Sequence, residues 1–315
     1  MKNKVTIIGA GGVGATTAYS LLASDVASEV VLIDVNMEKA LGEALDIKQA
    51  TPFLDNCDIY AGDYRDAIDS QFVIITSGMG RKPGQTRLDL VQTNVEIIRS
   101  ISSQVVKYAP NAIYILVANP VDILTYAFLK FTGLPKNQVI GTGTLLDTIR
   151  LRTRLAEIYG VNKKQVHANV LGEHGDSSFI AWSTANISGV PLTEYNSALA
   201  TKYDILAEYT HEDVETYVKK SGGKIISRKG NTVYGIATTS MHIVKTISGN
   251  AGSIMTVSSL HDGEYGIKDV CLSSLSVVAR TGVKSIITQK LSDEEMQRMY
   301  NSANVLKEII KGSGL

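Results

Sequence analysis

Val5-Thr6-Ile7-Ile8-Gly9-Ala10-Gly11-Gly12-Val13-Gly14 reads as a short buried strand, a tight glycine turn and the start of a helix running towards Leu22. The next apolar run, Val30-Val31-Leu32-Ile33, ends at Asp34, 20 residues after Gly14. A lone G-x-G-x-x-G is weak, because glycine turns are common. With a strand before it, a helix behind it and an acid at that distance, it matches the dinucleotide-binding fingerprint. Gly9, Gly11, Gly12 and Gly14, with Val13 between them, allow the turn and a close backbone approach to a pyrophosphate lying on the helix N-terminus. Asp34 would accept hydrogen bonds from the ribose hydroxyls and repel a 2′-phosphate, so the predicted cofactor is NAD rather than NADP. The competing reading is a glycine turn followed by an unrelated solvated aspartate.

The pattern repeats outward. Phe72-Val73-Ile74-Ile75, Ile113-Tyr114-Ile115-Leu116-Val117 and Val139-Ile140 are further apolar runs, separated by amphipathic helix-length stretches at 36–50 and 88–108. Strands apolar on both faces, alternating with helices, predict an α/β Rossmann fold: a doubly wound parallel sheet covered on both sides. Ligands bind such sheets beyond the carboxyl ends of the strands. The second half has a different texture, with a helix predicted at 145–159 and short polar strands, turns and helices mixed over 180–270. Ser292 and Glu295 form a capping box for a helix with Met296, Met299, Ala303, Leu306 and Ile310 on one face. The expected division is an NAD-binding domain at 1–143 and an α+β catalytic domain at 144–315, with a soft boundary near 143–147.

Composition excludes several classes. The 31 basic and 31 acidic residues cancel, so no global field draws the chain to nucleic acid or to an anionic membrane. Two cysteines, Cys57 and Cys271, cannot form a disulfide framework and lack metal-like spacing, so no metal site is predicted. The uncharged stretch 5–24 superficially resembles a signal peptide, but four glycines and several hydroxyl residues make it too polar and too broken for a bilayer helix. A cytoplasmic protein is expected.

Gly172-Glu173-His174-Gly175-Asp176 sets a histidine between glycines directly after Val170-Leu171. A histidine is more often structural than catalytic, but the glycines clear space around this ring. Hydride transfer to a carbonyl needs a proton donor of near-neutral pKa, and a carboxylate to orient it. Asp147 is the candidate partner. Asp147 and Arg150 lie three apart, so on a helix they share a face, and Arg150 could fork onto a substrate carboxylate. Spacing alone equally admits a surface ion pair of little consequence. Residues 78 to 87, Gly-Met-Gly-Arg-Lys-Pro-Gly-Gln-Thr-Arg, carry Arg81 and Arg87 on a loop able to fold over a small substrate.

Over essentially its whole length the chain resembles the L-lactate and malate dehydrogenase superfamily. The matching segments are Gly-Ala-Gly-Gly-Val-Gly, Lys-Pro-Gly-Gln-Thr-Arg-Leu-Asp-Leu, Ala-Asn-Pro-Val-Asp-Ile-Leu-Thr, Leu-Asp-Thr-Ile-Arg and Gly-Glu-His-Gly-Asp-Ser. The resemblance implies a 2-oxo or 2-hydroxy acid substrate. It makes His174 the proton donor and acceptor, Asp147 its partner and Arg150 the carboxylate anchor. Arg87 would polarise the carbonyl, and Asn119 would contact substrate and nicotinamide ahead of a cis Asn119-Pro120 bond. Thr232 falls at the substrate-pocket position. Lys39, Tyr64, Gly78, Ser100, Val117 and Thr142 would complete the cofactor groove. A homotetramer, or a dimer, is the implied assembly. Arg152 and His167 match positions that bind fructose 1,6-bisphosphate in allosteric bacterial lactate dehydrogenases.

Most segments resemble the lactate branch, including Trp182-Ser183 and Lys229-Gly230-Asn231-Thr232. Arg81 is the exception: lactate enzymes typically carry glutamine there and malate enzymes arginine. Closed over a pyruvate methyl, Arg81 would leave a desolvated guanidinium unpaired, at a cost of roughly 3–5 kcal/mol, or discrimination of order 10²–10³. The expectation is malate dehydrogenase chemistry on a lactate-type scaffold. Lactate dehydrogenase is the alternative, with Arg81 swung into solvent, and a non-catalytic NAD-binding sensor is the competing class.

Overall fold

The structure, a computed structural model, describes residues 3–54, 57–80, 87–199 and 209–315, with the Arg87 side chain excepted. Arg81 and the side chain of Arg87 therefore lie outside the described residues. The first half alternates β1 (Lys4–Ile8), α1 (Gly12–Ala23), β2 (Glu29–Ile33), α2 (Met37–Lys48), β3 (Asp58–Ala61), β4 (Phe72–Ile75), α3 (Arg87–Val105), β5 (Ile113–Leu116), α4 (Val121–Thr132) and β6 (Val139–Gly141). All six strands pair in parallel, in the spatial order β6-β5-β4-β1-β2-β3. The order reverses between β1 and β4, the switch point where such sheets open a crevice.

Residues that alternate along each strand enter two separate cores. Ile8, Tyr114 and Leu116 face α3 and α4, while Val5, Ile7, Ile113 and Ile115 face α1 and α2. This two-sided burial is why the strands read as unbroken apolar runs. Each fully buried Val or Ile contributes about 1.5–3 kcal/mol. Helix α4 is buried almost all round, from Val121 to Leu129.

The second half contains α5 (Leu145–Tyr159), the short strands β7 (Val166–His167), β8 (Val170–Leu171), β9 (Phe179–Ile180), β10 (Asn186–Ile187) and β11 (Val190–Pro191), and α6 (Leu192–Ala198). It continues with α7 (His211–Lys229), α8 (Tyr234–Ser248), β12 (Ser253–Asp262), β13 (Lys268–Ala279), β14 (Gly282–Ile286) and α9 (Asp293–Gly312). The region expected to mix short polar strands, turns and helices does contain helices, the long α7 and α8, and its main strands are the long pair β12–β13 rather than short ones. Tertiary packing decides here: α8, rich in β-branched residues, lies against α1, and its Ile243, Val244 and Ile247 enter the core. The large sheet also crosses the expected boundary, because Ser258 of β12 pairs antiparallel with Gly141 of β6 and makes one nine-stranded sheet. Ser292 caps α9 as predicted, and Met299, Ala303, Leu306 and Ile310 are buried, with Met296 packed at their margin. Among the described residues, no helix is long and apolar enough to cross a membrane.

Candidate active site

The glycine turn is shaped by contacts that only hydrogen allows. A Cβ on Gly14 would lie 1.8 Å from the Gly9 carbonyl oxygen, and Gly9 itself has φ +108°. Gly14 thus lets α1 start hard against the end of β1. A Cβ on Gly11, in contrast, would meet nothing within 4 Å. Gly11 is the N-cap of α1 and supplies no side-chain cap, and the first turn carries no acid. Its N–H groups and the helix dipole are therefore open to an anion. These residues fit the pyrophosphate of a dinucleotide.

Asp34 stands at the end of β2 against this turn. Its Oδ2 accepts from the Ala10 amide at 2.7 Å, and its Oδ1 accepts from the Asn36 amide at 2.9 Å. The carboxylate thus ties the glycine turn to the start of α2, where Lys39 is exposed on the first turn. Gly78 follows β4, and a Cβ there would lie 3.1 Å from the Ala118 methyl. The Val117 amide donates to Ile75 O and the Thr142 amide to Leu116 O, both at 2.9 Å. The ends of β4, β5 and β6 are thereby held in step around the crevice. Tyr64 is half-buried in the turn after β3, and burial raises its phenol above the ordinary value. Among the described residues no hydrogen bond draws Ser100 into this cluster: it is exposed on α3, and its carbonyl accepts from Ser103 and Gln104 further down the same helix.

The second constellation converges from four segments. Asn119, exposed at the end of β5, precedes a cis bond to Pro120 and accepts the Val121 amide on its Oδ1. Asp147 and Arg150 are on one face of α5, and His174 is in the turn between β8 and β9. His174 Nδ1 lies 2.6 Å from Asp147 Oδ2, and Arg150 Nη1 donates to Asp147 Oδ1 at 2.7 Å. The pair is not a solvated surface bridge: the side chains of Asp147 and Arg150 are 10% and 16% exposed. Beyond Arg150, a Cβ on Gly222 of α7 would be 3.8 Å from Nη2 and meet nothing else within 4 Å, so room remains beside the guanidinium. Thr232, just past α7, has a buried hydroxyl with no hydrogen-bond partner among the described residues. The neighbouring Asn231 amide lies 3.5 Å from where a Gly12 Cβ would stand, which brings this segment against the dinucleotide turn.

Electrostatics follow from this geometry. Burial pushes the Asp147 carboxyl up, but the charges and hydrogen bonds of His174 and Arg150 outweigh it and hold the group below the ordinary carboxylate value. An ionised Asp147 requires the proton on His174 Nδ1, which leaves Nε2 as the ring atom that gains or loses one. Burial draws the imidazole down, yet Asp147, aided by Asp122, raises it above the ordinary histidine value. The ring keeps 28% of its side-chain surface open, so a small molecule can reach it.

Two residues escaped sequence reasoning. Asn94 of α3 is fully buried; its Oδ1 accepts the Met79 amide at 2.7 Å, and its Nδ2 donates to Met79 O at 3.1 Å and to Asn119 O at 2.8 Å. It fastens the beginning of the 78–87 stretch to the Asn119 turn. A polar residue between the buried Val91, Val95 and Ile98 was the available signal. Asp122 of α4 accepts the His174 amide. Arg152 and His167 lie apart from both clusters: Arg152 donates through Nε to Ala168 O at 3.0 Å and through Nη2 to Asn169 Oδ1 at 2.9 Å, and His167 is exposed on β7.

Comparison with known proteins bears on the same regions. The family model for the lactate/malate dehydrogenase NAD-binding domain matches residues 3–141, and that for the lactate/malate dehydrogenase α/β C-terminal domain matches 144–313. The chain is 46% identical over 308 residues to an L-lactate dehydrogenase of Acetivibrio thermocellus, covering 98% of this chain and 96% of that one. It is 45% identical over 305 residues to L-lactate dehydrogenase 1 of Clostridium acetobutylicum, covering 97% and 96%. Among solved structures, a lactate dehydrogenase from a Medee basin deep-sea metagenome library superposes with a TM-score of 0.93 at 35% identity, covering all of both chains. The minor L-lactate dehydrogenase of Enterococcus mundtii gives 0.92 at 39%, covering 98% of each. A glycine turn built for a dinucleotide, a part-buried histidine–carboxylate–arginine cluster and full-length similarity of this order have one reading: the chain belongs to the lactate/malate dehydrogenase family and is an NAD-dependent oxidoreductase.

Proposed function

We propose that the protein is an L-lactate dehydrogenase, interconverting pyruvate and (S)-lactate. The reaction class is carried by the His174–Asp147–Arg150 cluster, and the choice of pyruvate is supported by full-length relatives named L-lactate dehydrogenase at 43–46% identity. This reverses the order of preference drawn from Arg81 alone.

Arg150, with Nη1 on Asp147, presents its remaining N–H donors to the substrate carboxylate. His174 Nε2 delivers a proton to the carbonyl oxygen, and Asp147 supports the ring as charged donor and as neutral acceptor in reverse. NAD held at the glycine turn, Gly9 to Gly14, and by Asp34 would supply the hydride for the carbonyl carbon. Thr232, whose hydroxyl has no partner among the described residues, and Asn119 are assigned to substrate binding as well, and Arg87 is assigned the polarising charge. Oxaloacetate reduction to (S)-malate is the second reading, favoured by the arginine at position 81. A higher kcat/KM for pyruvate than for oxaloacetate in NADH oxidation supports the first reading, and the reverse ratio supports the second.

The assembly we propose is a homotetramer, with a dimer as the alternative, in the cytoplasm. Binding of fructose 1,6-bisphosphate at Arg152 and His167 is the proposed regulation. If the bisphosphate alters neither substrate dependence nor oligomeric state, that regulation is wrong.

A further inference from the structure

Asp122 has been given no role of its own in the reaction, yet with Glu173 it is one of the two most enclosed acids at the site. It stands on the first turn of α4, two residues past Pro120, and is 2% exposed. Its Oδ2 accepts the His174 backbone N–H at 2.7 Å, and its Oδ1 accepts the Ser258 hydroxyl at 2.5 Å. Both partners are neutral. Taking a carboxylate out of water onto neutral donors is costly, and an apolar or amide side chain of similar shape would be the more stabilising choice. Burial pushes the Asp122 carboxyl up to about 6, against the pull of Ser258 and His174. It therefore remains mostly ionised at neutral pH.

What the acid achieves there follows from its neighbours. The segment 119–122 begins with Asn119 at the end of β5 and finishes with a carboxylate bonded to the backbone of the histidine. One short stretch thus links the end of β5 to the turn that carries the proton donor. We propose that Asp122 is a positioning residue of the reaction: it clamps the His174 turn to the amino end of α4 and sets a second negative charge behind the imidazole that Asp147 already supports. This rests on His174 being the proton donor. The charges acting on the ring are Asp147 and Arg150 from α5 and Asp122 from α4, Asp147 and Asp122 favouring the protonated ring and Arg150 opposing it, while Glu173 of the histidine's own turn acts on Asp122. Lys219 of α7 reaches the same turn, donating to Asp176 O, and the Cys271 thiol of β13, raised chiefly by burial, also feels the Asp122 charge.

The test is Asp122→Asn. The amide oxygen can accept from the His174 N–H and the amide nitrogen can donate to Ser258, so both hydrogen bonds survive and the charge alone is lost. The midpoint of the pH profile of kcat/KM for 2-oxo acid reduction should move down by about 0.5–1 unit. On the alkaline limb that is a loss of about three- to tenfold, with unchanged circular dichroism and NADH affinity. A folded variant with an unmoved midpoint overturns the proposal. Should the variant not fold, Ser258→Ala takes its place: it removes one of two donors, raises the carboxyl's own proton affinity and so thins the charge, and the same midpoint must again move down. An unmoved midpoint there overturns the proposal equally. Turnover surviving in His174→Asn would instead refute the reading of the site on which this inference rests.

Discussion

Asp147 uses its two oxygens for different tasks, one on the histidine and one on the arginine, and this division explains much of the site. Because its carboxyl is held low, it is ionised wherever the enzyme works, and the His174 imidazole is raised in response. The folded pKa of His174 lies above its ordinary value, so the charged donor is present below that raised value and is lost as pH rises through it. Reduction of a 2-oxo acid should therefore decline with rising pH across a midpoint above 6.5, while oxidation of the hydroxy acid should rise over the same interval. Parallel pH profiles for the two directions would contradict this assignment. Asp34 makes a separate prediction. With the carboxylate replaced in Asp34→Ala, the repulsion of a 2′-phosphate disappears, and the preference for NADH over NADPH should fall by about 10-fold or more, some 1.4 kcal/mol. Steady-state kcat/KM for each coenzyme measures it.

At the scale of elements, what could be read in advance depended on how one-sided each burial was. Strands β1, β2, β4 and β5 are apolar on both faces and visible as such, and α5 occupies the predicted 145–159 because its polar stripe is clean. β3 was missed: it is the edge strand, Asp-Ile-Tyr-Ala, with only Ile59 fully buried. β12 and β13 were obscured because they bury serines as well as aliphatics, with Ser258, Ser259, Ser273, Ser274 and Ser276 at 0–2% exposure. Asn94 and Asp122 stayed hidden for a related reason: Asn94 is a polar position inside the buried stripe of amphipathic α3, and Asp122 a polar position on α4, which is buried almost all round. The junction of β1 with α1 was, by contrast, fully legible, because Gly14 has no substitute. Gly14→Ala would drive a methyl into the Gly9 carbonyl. It should cost about 1–3 kcal/mol of stability and weaken NADH binding, as read by urea denaturation and fluorescence titration. Undiminished NADH affinity would show that the close contact has no bearing on the cofactor.

For the molecule as a whole, the 31 to 31 charge balance supports no long-range steering, so specificity has to arise where the elements meet. Asn119, Asp147, Arg150, His174 and Thr232 are spread over 113 positions, and spacing could pair only the two on α5; the rest required the resemblance or the fold. The exposed apolar side chains Met37, Leu41 and Leu45 recur along one face of α2 with Phe53 beyond it, a surface compatible with self-association. Light scattering at assay concentration should give a mass near four chains, or two, and a mass of one chain would refute the proposed assembly. The account stands or falls on His174. In His174→Asn, NADH affinity should stay within about twofold while kcat with pyruvate or oxaloacetate falls by about 10²–10⁴; turnover close to that of the unaltered protein, with the coenzyme still bound, would contradict it.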